Sequence, residues 1–64
     1  MRTVDNIRWH LASSRLAAQA FHLRSVDAAE KGDLARLRSA TERRDLSLQT
    51  IESWKVLLSI AQAA

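Results

Sequence analysis

A single glycine divides this chain almost in half, and no proline interrupts either half. Gly32 is followed at once by Asp33, and about thirty residues without a strong helix breaker lie on each side. Glycine readily takes the left-handed conformation that ends a helix, and aspartate caps the start of the next one. The sequence therefore predicts two long helices, over about residues 3–31 and 33–62, joined by a tight turn at residues 31–33.

The composition agrees with an all-helical chain. Hydrophobic residues make up 47% of the 64 residues, a share too high for a disordered protein. Alanine, leucine, arginine, glutamine and glutamate favour helix, whereas valine, isoleucine and threonine are too few and too scattered to form a sheet. We therefore expect one all-α domain over residues 1–64, folded as an antiparallel two-helix hairpin in which residue i lies roughly opposite residue 65 minus i.

The small size predicts association with another chain. A domain of this length buries only about 60% of the surface that its unfolded chain exposes, so one core is marginally stable. The sequence has no cysteine, which excludes disulfides and thiolate metal sites. Association is the remaining route to a larger core. The favoured form is a homodimeric four-helix bundle, although the sequence does not fix the number of subunits.

Heptad spacing predicts which helix faces meet inside the hairpin. The first helix has small and apolar residues at its a and d positions, where a partner helix can approach closely. These positions are Val4, Ile7, Leu11, Ser14, Ala18, Phe21, Ser25 and Ala28. The expected inner positions of the second helix are Leu34, Leu37, Thr41, Arg44, Leu48, Ile51 and Leu58, flanked by Ala40, Ser47, Trp54 and Ala61.

A polar stretch weakens the second stripe around residues 41–45. Asp45 or Ser47 could cap a fresh start there, so a kink or a third helix near residues 41–47 is an alternative. We favour one continuous helix because no residue in this stretch forces a break.

Both helices also carry apolar residues on the side away from the predicted seam. Trp9, Leu16 and Leu23 follow one another at intervals of seven, and Leu46 joins a second group near the carboxyl end. A short helix that is apolar nearly all round is normally covered on more than one side. The partner-binding residues expected from this pattern are Trp9, Leu16, Leu23, Trp54, Val56, Leu57 and Ile60. The alternative for the two tryptophans is a core pair that closes the open end of the hairpin.

The basic residues support a second hypothesis. The net charge is +3, and arginines recur at helical spacing on both helices. Such rows can follow a phosphate backbone, but they more often form a solvated face or the rim of a protein interface. The candidate contacts are Arg8, Arg15, Arg36, Arg43 and Arg44. Three pairs have the spacing of helical salt bridges: Asp5 with Arg8, Asp27 with Lys31, and Asp33 with Arg36. The seam position of Arg44 predicts that it extends outward or pairs with a carboxylate.

Catalysis has few candidate groups in this sequence. His10 with Ser14 and His22 with Ser25 have spacings that occur often by chance, and a two-helix hairpin offers no evident pocket. The two histidines lie about 18 Å apart along one helix, too far to share a metal ion. We therefore expect no enzymatic activity, no metal, no cofactor and no small-molecule substrate. No apolar window reaches the roughly 20 residues of a membrane span, and a cytoplasmic protein is the default expectation.

The predicted layout resembles two families of small helical hairpins. The plasmid copy-control ROP proteins have hairpins of this length, dimerise into four-helix bundles and bind RNA. The segment from Ile51 to Ile60 is similar to the second helix of the hairpin co-chaperones of type III secretion needle subunits, which act through an apolar surface. Small phage-encoded inhibitors of host proteins are often hairpins of this size as well.

The sequence thus leads to two functional hypotheses. The first is a non-enzymatic protein–protein interaction module, such as an adaptor, regulator, inhibitor or co-chaperone, that binds through an apolar helix face. The second is a ROP-like helical dimer that binds RNA or DNA through its arginine-lined faces. Salt separates them, because nucleic-acid binding weakens steeply with ionic strength and apolar docking does not.

Overall fold

The computed structural model describes residues 3–63, which form two helices packed side by side. Helix α1 spans Thr3–Glu30 and helix α2 spans Leu34–Ala63. The hairpin measures 48 × 16 × 12 Å. The all-α hairpin expected from the sequence is confirmed. Helix α2 continues without a break through residues 41–47, where the sequence left a kink open.

Gly32 ends α1 through its backbone conformation. Its φ angle is +67°, in the left-handed region that glycine enters without steric cost. The amide of Gly32 donates to the carbonyl of Ala29 at 3.1 Å, and the amide of Asp33 donates to the carbonyl of Ala28 at 2.9 Å. These two bonds form a Schellman motif, which satisfies carbonyls that the end of the helix would otherwise leave free.

Asp33 starts α2 one residue later. Its carboxylate Oδ1 accepts a hydrogen bond from the backbone amide of Arg36 at 3.1 Å, and its carbonyl accepts the first helical bond from Leu37 at 2.9 Å. This is the N-cap arrangement, in which the side chain replaces the missing helical acceptor. The spacing predicted a salt bridge between Asp33 and Arg36, but the Asp33 side chain caps the helix instead. The Arg36 guanidinium lies 3.7 Å from the Asp27 carboxylate.

The inner face of α1 is the one that the heptads predict. Ile7, Leu11 and Ala18 are buried, as are Ser25 and Ala28. The remaining three seam positions, which are Val4, Ser14 and Phe21, are half-buried. The buried hydroxyl of Ser25 donates to the carbonyl of His22 at 2.6 Å, so its polar atom is satisfied within the helix.

The inner face of α2 differs from the prediction in its rotation. Leu34 and Leu48 were expected inside, yet both are exposed. The face that meets α1 instead follows an unbroken alternation of three and four residues along the helix. Its members are Leu37, Ala40, Arg44, Ser47, Ile51, Trp54, Leu58 and Ala61, all buried or half-buried.

Small side chains explain this rotation of α2. The small side chains Ala40 and Ser47 lie on this face, and Ile51 belongs to the buried cluster against which Trp54 packs. A row that included Leu34 and Leu48 would have placed bulkier side chains between the helices. The prediction was therefore wrong at Leu34 and Leu48, whereas the other expected inner positions are buried or half-buried: Leu37, Thr41, Arg44, Ile51 and Leu58.

Contacts between the helices fix the antiparallel register. His10 stacks on Trp54 near the open end, and the Arg44 guanidinium reaches His22 in the middle. Arg36 reaches Asp27 near the turn. Each pair lies close to the register expected from the sequence, so the helices face each other along their length.

The core of the hairpin is thin. Among residues 3–63, only three large hydrophobic side chains are buried: Ile7, Leu11 and Ile51. The accessible surface is 4852 Å². A compact monomer of 7.2 kDa is expected to expose about 4,100 Å². The hairpin alone thus leaves more surface in water than a folded protein of its mass normally does.

Candidate functional site

The clearest candidate surface is a row of three apolar side chains on α1, here called the α1 outer line. Trp9 is 60% exposed, Leu16 69% and Leu23 59%. Trp9 lies two residues before the buried Leu11, and two residues rotate a helix by about 200°. The α1 outer line therefore points away from α2. Val26 extends it toward the turn and is also exposed.

A second apolar surface lies on α2 and is here called the α2 outer surface. Val56, Leu57, Ile60 and Leu46 are between 45% and 62% exposed. Val56 precedes the seam residue Leu58 by two positions, so the same rotation turns it away from α1. The α1 outer line and the α2 outer surface consequently lie on opposite sides of the hairpin, and one flat partner surface cannot cover both.

Trp54 differs from the other predicted partner-binding residues because it belongs to the core. It is half-buried and packs against the cluster of Leu11, Ala18 and Ile51. Its ring stacks on His10, with centroids 4.5 Å apart and planes 2° from parallel. Of the two roles open for the tryptophans, Trp54 therefore closes the end of the hairpin, whereas Trp9 remains exposed.

His10 links the two tryptophans, a role that the sequence did not reveal. Trp9 meets the His10 ring edge-on, with centroids 5.0 Å apart and an interplanar angle of 83°. His10 thus lies between an exposed tryptophan and a core tryptophan. The sequence signal that could have indicated this role is the place of His10 beside the seam, directly before Leu11 and four residues before Ser14. In the structure His10 is half-buried.

The predicted arginines divide between two sides of the hairpin. Arg36 and Arg43 line a shallow groove with Phe21, and this groove also contains Arg24, which the sequence-based selection missed. Arg44 lies on the other side, where its Nη1 is 3.4 Å from His22 Nδ1. Arg8 and Arg15 share that second side, because they precede His22 at intervals of seven.

The charged residues also differ in whether they form ion pairs. Arg44 is half-buried and its Nη2 lies 3.3 Å from the Asp45 carboxylate, so the predicted pairing is confirmed. Lys31 and Asp27 form the predicted bridge at 3.0 Å. Asp5 and Arg8 are not among the ion pairs of residues 3–63. Exposed pairs of this kind contribute about 0–1 kcal/mol each, so they solubilise the surface more than they stabilise the fold.

Within residues 3–63, neither histidine–serine pair is joined by a hydrogen bond between the hydroxyl and the imidazole. The Ser25 hydroxyl is directed to the main-chain carbonyl of His22 rather than to an imidazole nitrogen. Within the described range, no three histidine, aspartate or glutamate side chains gather where a metal ion could bind. Neither helix, over the residues described, has an apolar stretch sufficient to cross a bilayer.

No protein family, curated protein or solved structure matches this chain. The function is therefore inferred from the surfaces of the hairpin themselves.

Proposed function

We propose that this chain is a non-enzymatic protein–protein interaction module, a small adaptor or regulator that binds other helices through its outer faces. The observation that supports it most directly is the α1 outer line. Three large apolar side chains stand in a row, each more than half exposed, on a helix whose opposite side already packs against α2. Large apolar side chains that are exposed together on one helix face indicate an interaction site.

The spacing of the α1 outer line fits a helix as its partner. Residues at intervals of seven form the seam of helices that pack nearly parallel or antiparallel. A bound helix covers Trp9, Leu16 and Leu23 together, and tryptophan is among the residues that contribute most binding energy at interfaces.

A second copy of the chain supplies a matching helix. Leu16 lies midway between Trp9 and Leu23, so the α1 outer line is unchanged by a two-fold axis through Leu16. In that arrangement Leu16 meets Leu16 of the second copy, and Trp9 meets its Leu23. A surface that complements itself in this way is the form that two-fold dimers require.

The resulting homodimer is a four-helix assembly with the two α1 helices at its centre. A bundle made by stacking one flat side of each hairpin on the other would leave both apolar outer surfaces in water. Pairing through α1 covers the α1 outer line and leaves the α2 outer surface free on each copy. The α2 outer surface is then available to a different protein, which gives the dimer its role as an adaptor.

Sedimentation equilibrium of three chains tests the dimer. We expect the wild type to be a dimer and Leu16→Glu to be a monomer, because a charge at the two-fold axis would be buried twice. Gln49→Glu is the matched control, since it adds the same charge at an exposed site on α2 and should remain dimeric. Trp9→Ala removes one anchor from each copy, so at about 2 kcal/mol per anchor it should weaken the dimer by about 4 kcal/mol, roughly a thousandfold.

Salt dependence adds a second criterion. The dimer should keep its dissociation constant between low and moderate salt, because apolar contacts are not screened by ions. A wild-type chain that stays monomeric at every concentration, or a Leu16→Glu variant that still dimerises, would refute pairing through α1.

The α2 outer surface is tested separately by capture from the native cell extract. A bound protein should be retained by the wild type and by Gln62→Glu, an exposed isosteric control, but lost with Val56→Glu. Retention by Val56→Glu at the wild-type level would show that the partner binds elsewhere.

A further inference from the structure

One side of the hairpin, distinct from both apolar outer surfaces, carries a groove built around Phe21. The guanidinium carbon of Arg24 lies 5.2 Å from the centre of the Phe21 ring, and that of Arg43 lies 6.0 Å from it. Arg36 and Ser39 complete the wall, and the open groove has a volume of about 300 Å³. Two helices thus bring three arginines to one place that lies near the turn.

The groove holds more positive charge than its acidic neighbours balance. Within residues 3–63, neither Arg24 nor Arg43 takes part in an ion pair. Arg36 lies 3.7 Å from Oδ2 of Asp27, the same oxygen that Lys31 approaches at 3.0 Å. One carboxylate is therefore shared by two cations, while two further arginines have none. An anion in this groove would relieve the repulsion among the guanidinium groups.

The Phe21 ring holds the guanidinium groups of Arg24 and Arg43 near the position in which they would bind a ligand. A guanidinium is attracted to the face of an aromatic ring, and this contact restricts an otherwise flexible side chain. A restricted arginine loses less entropy when it binds, and its planar fork matches the paired oxygens of a phosphate. The guanidinium groups of Arg24 and Arg43 compete with a base for the ring of Phe21, so the contacts of a strand with this groove are expected to be mainly with its phosphates.

From this geometry we infer that the groove binds the phosphate backbone of a single-stranded nucleic acid without reading its sequence. Arg36 and Arg43 are seven residues apart on α2, a span of about 10 Å. A flexible strand can bring about three consecutive phosphates to the three arginines over such a distance, and the Ser39 hydroxyl can donate to a further phosphate oxygen. The groove is separate from the α1 outer line, so it does not depend on dimerisation.

The test measures the affinity of the full chain for a labelled oligothymidylate by fluorescence anisotropy at several salt concentrations. Each phosphate neutralised on a single strand contributes about −0.7 to the slope of log affinity against log salt, so three arginines predict about −2. Affinity should then fall roughly twentyfold between 50 and 200 mM salt. Arg24→Gln and Arg43→Gln should each lower the magnitude of the slope by about 0.7.

Matched variants separate the groove from the general charge of the protein. Arg8→Gln and Arg15→Gln remove the same charge from the other side of the hairpin and should leave the slope unchanged. Arg43→Lys keeps the charge but loses the planar fork, so it should weaken binding while retaining the slope. Circular dichroism of every variant confirms that the helices are intact, and Leu16→Glu should bind the strand with the wild-type slope.

Three results would overturn the proposal. The first is a slope that falls as much with Arg8→Gln as with Arg43→Gln, since binding would then follow total charge. The second is a wild-type chain that shows no salt-dependent affinity for the oligothymidylate. The third is an oligoglutamate peptide that binds to the groove when the oligothymidylate does not, which would assign the arginines to an acidic protein partner.

Discussion

His10 lies between the two tryptophans at the open end of the hairpin, and its surroundings illustrate how one side chain joins the core to a binding surface. Its ring stacks face to face on Trp54, which packs on Leu11 and Ile51. The other contact of the ring is with the exposed Trp9. His10 therefore connects Trp9 on the α1 outer line to the core residue Trp54.

Replacing His10 with alanine should destabilise the hairpin because the stacked contact with Trp54 is lost. Stacked ring pairs contribute about 0.5–1.5 kcal/mol beyond their buried area, so we expect the free energy of unfolding to fall by about 1 kcal/mol. Urea denaturation monitored by tryptophan fluorescence measures the change. Gln19→Ala on the same helix is the control, because Gln19 is exposed, and it should change stability by less than about 0.5 kcal/mol. Equal effects of the two substitutions would contradict a structural role for His10.

At the scale of elements, the turn at residues 31–33 determines how α1 ends and α2 begins. The Schellman bonds to Ala28 and Ala29 and the cap by Asp33 satisfy backbone groups on both sides of Gly32. The turn is therefore specified by local chemistry and needs little help from the packing of the helices.

Gly32→Ala should destabilise the hairpin through backbone conformation alone. A Cβ atom at this position would meet nothing within 4 Å, so no steric contact with the rest of the protein contributes. An L-residue at φ of +67° costs about 1–2 kcal/mol, and thermal or urea unfolding should show a loss of that size. Gly32→Asn is the informative comparison, because asparagine tolerates the left-handed region and should lose less. If Gly32→Ala proved neutral, the left-handed turn would be disproved.

At the scale of the whole molecule, the hairpin has too little buried apolar surface for its length. Within residues 3–63 its core contains three large buried side chains, while the α1 outer line and the α2 outer surface remain in water. Burial of apolar area is the main favourable term in folding, so covering either surface should stabilise the fold. The dimer proposed above would therefore couple folding to association.

This coupling predicts that the thermal midpoint rises with protein concentration. A dimer is favoured by mass action, so the folded state gains stability as the total concentration increases. Circular dichroism melts over a hundredfold range of concentration measure the shift. Leu16→Glu should melt at one temperature throughout that range, and below the wild type at high concentration. A wild-type midpoint independent of concentration would show that the hairpin folds alone.

Much of the candidate site was predictable because helix position repeats with a fixed angle. The intervals of seven among Trp9, Leu16 and Leu23 placed them on one face, opposite the seam of α1. The sequence pattern placed Trp54 among the partner-binding residues, although it packs in the core, and it did not select Arg24 at all. Trp54 became part of the core because of the rotation of α2, and Arg24 joined the groove because the opposite helix carries Arg43 to the same ring.

The sequence by itself determined the two helices, the turn between them and the inner face of α1, because propensity, capping and heptad spacing act over a few residues. Only the tertiary structure decided how α2 is rotated about its own axis. That rotation depends on which side chains of α1 and α2 pack against each other, which is a property of both helices together. With α2 rotated in this way, Leu34 and Leu48 are exposed and Trp54 stacks on His10. The same rotation places Arg36 and Arg43 in the groove beside Phe21.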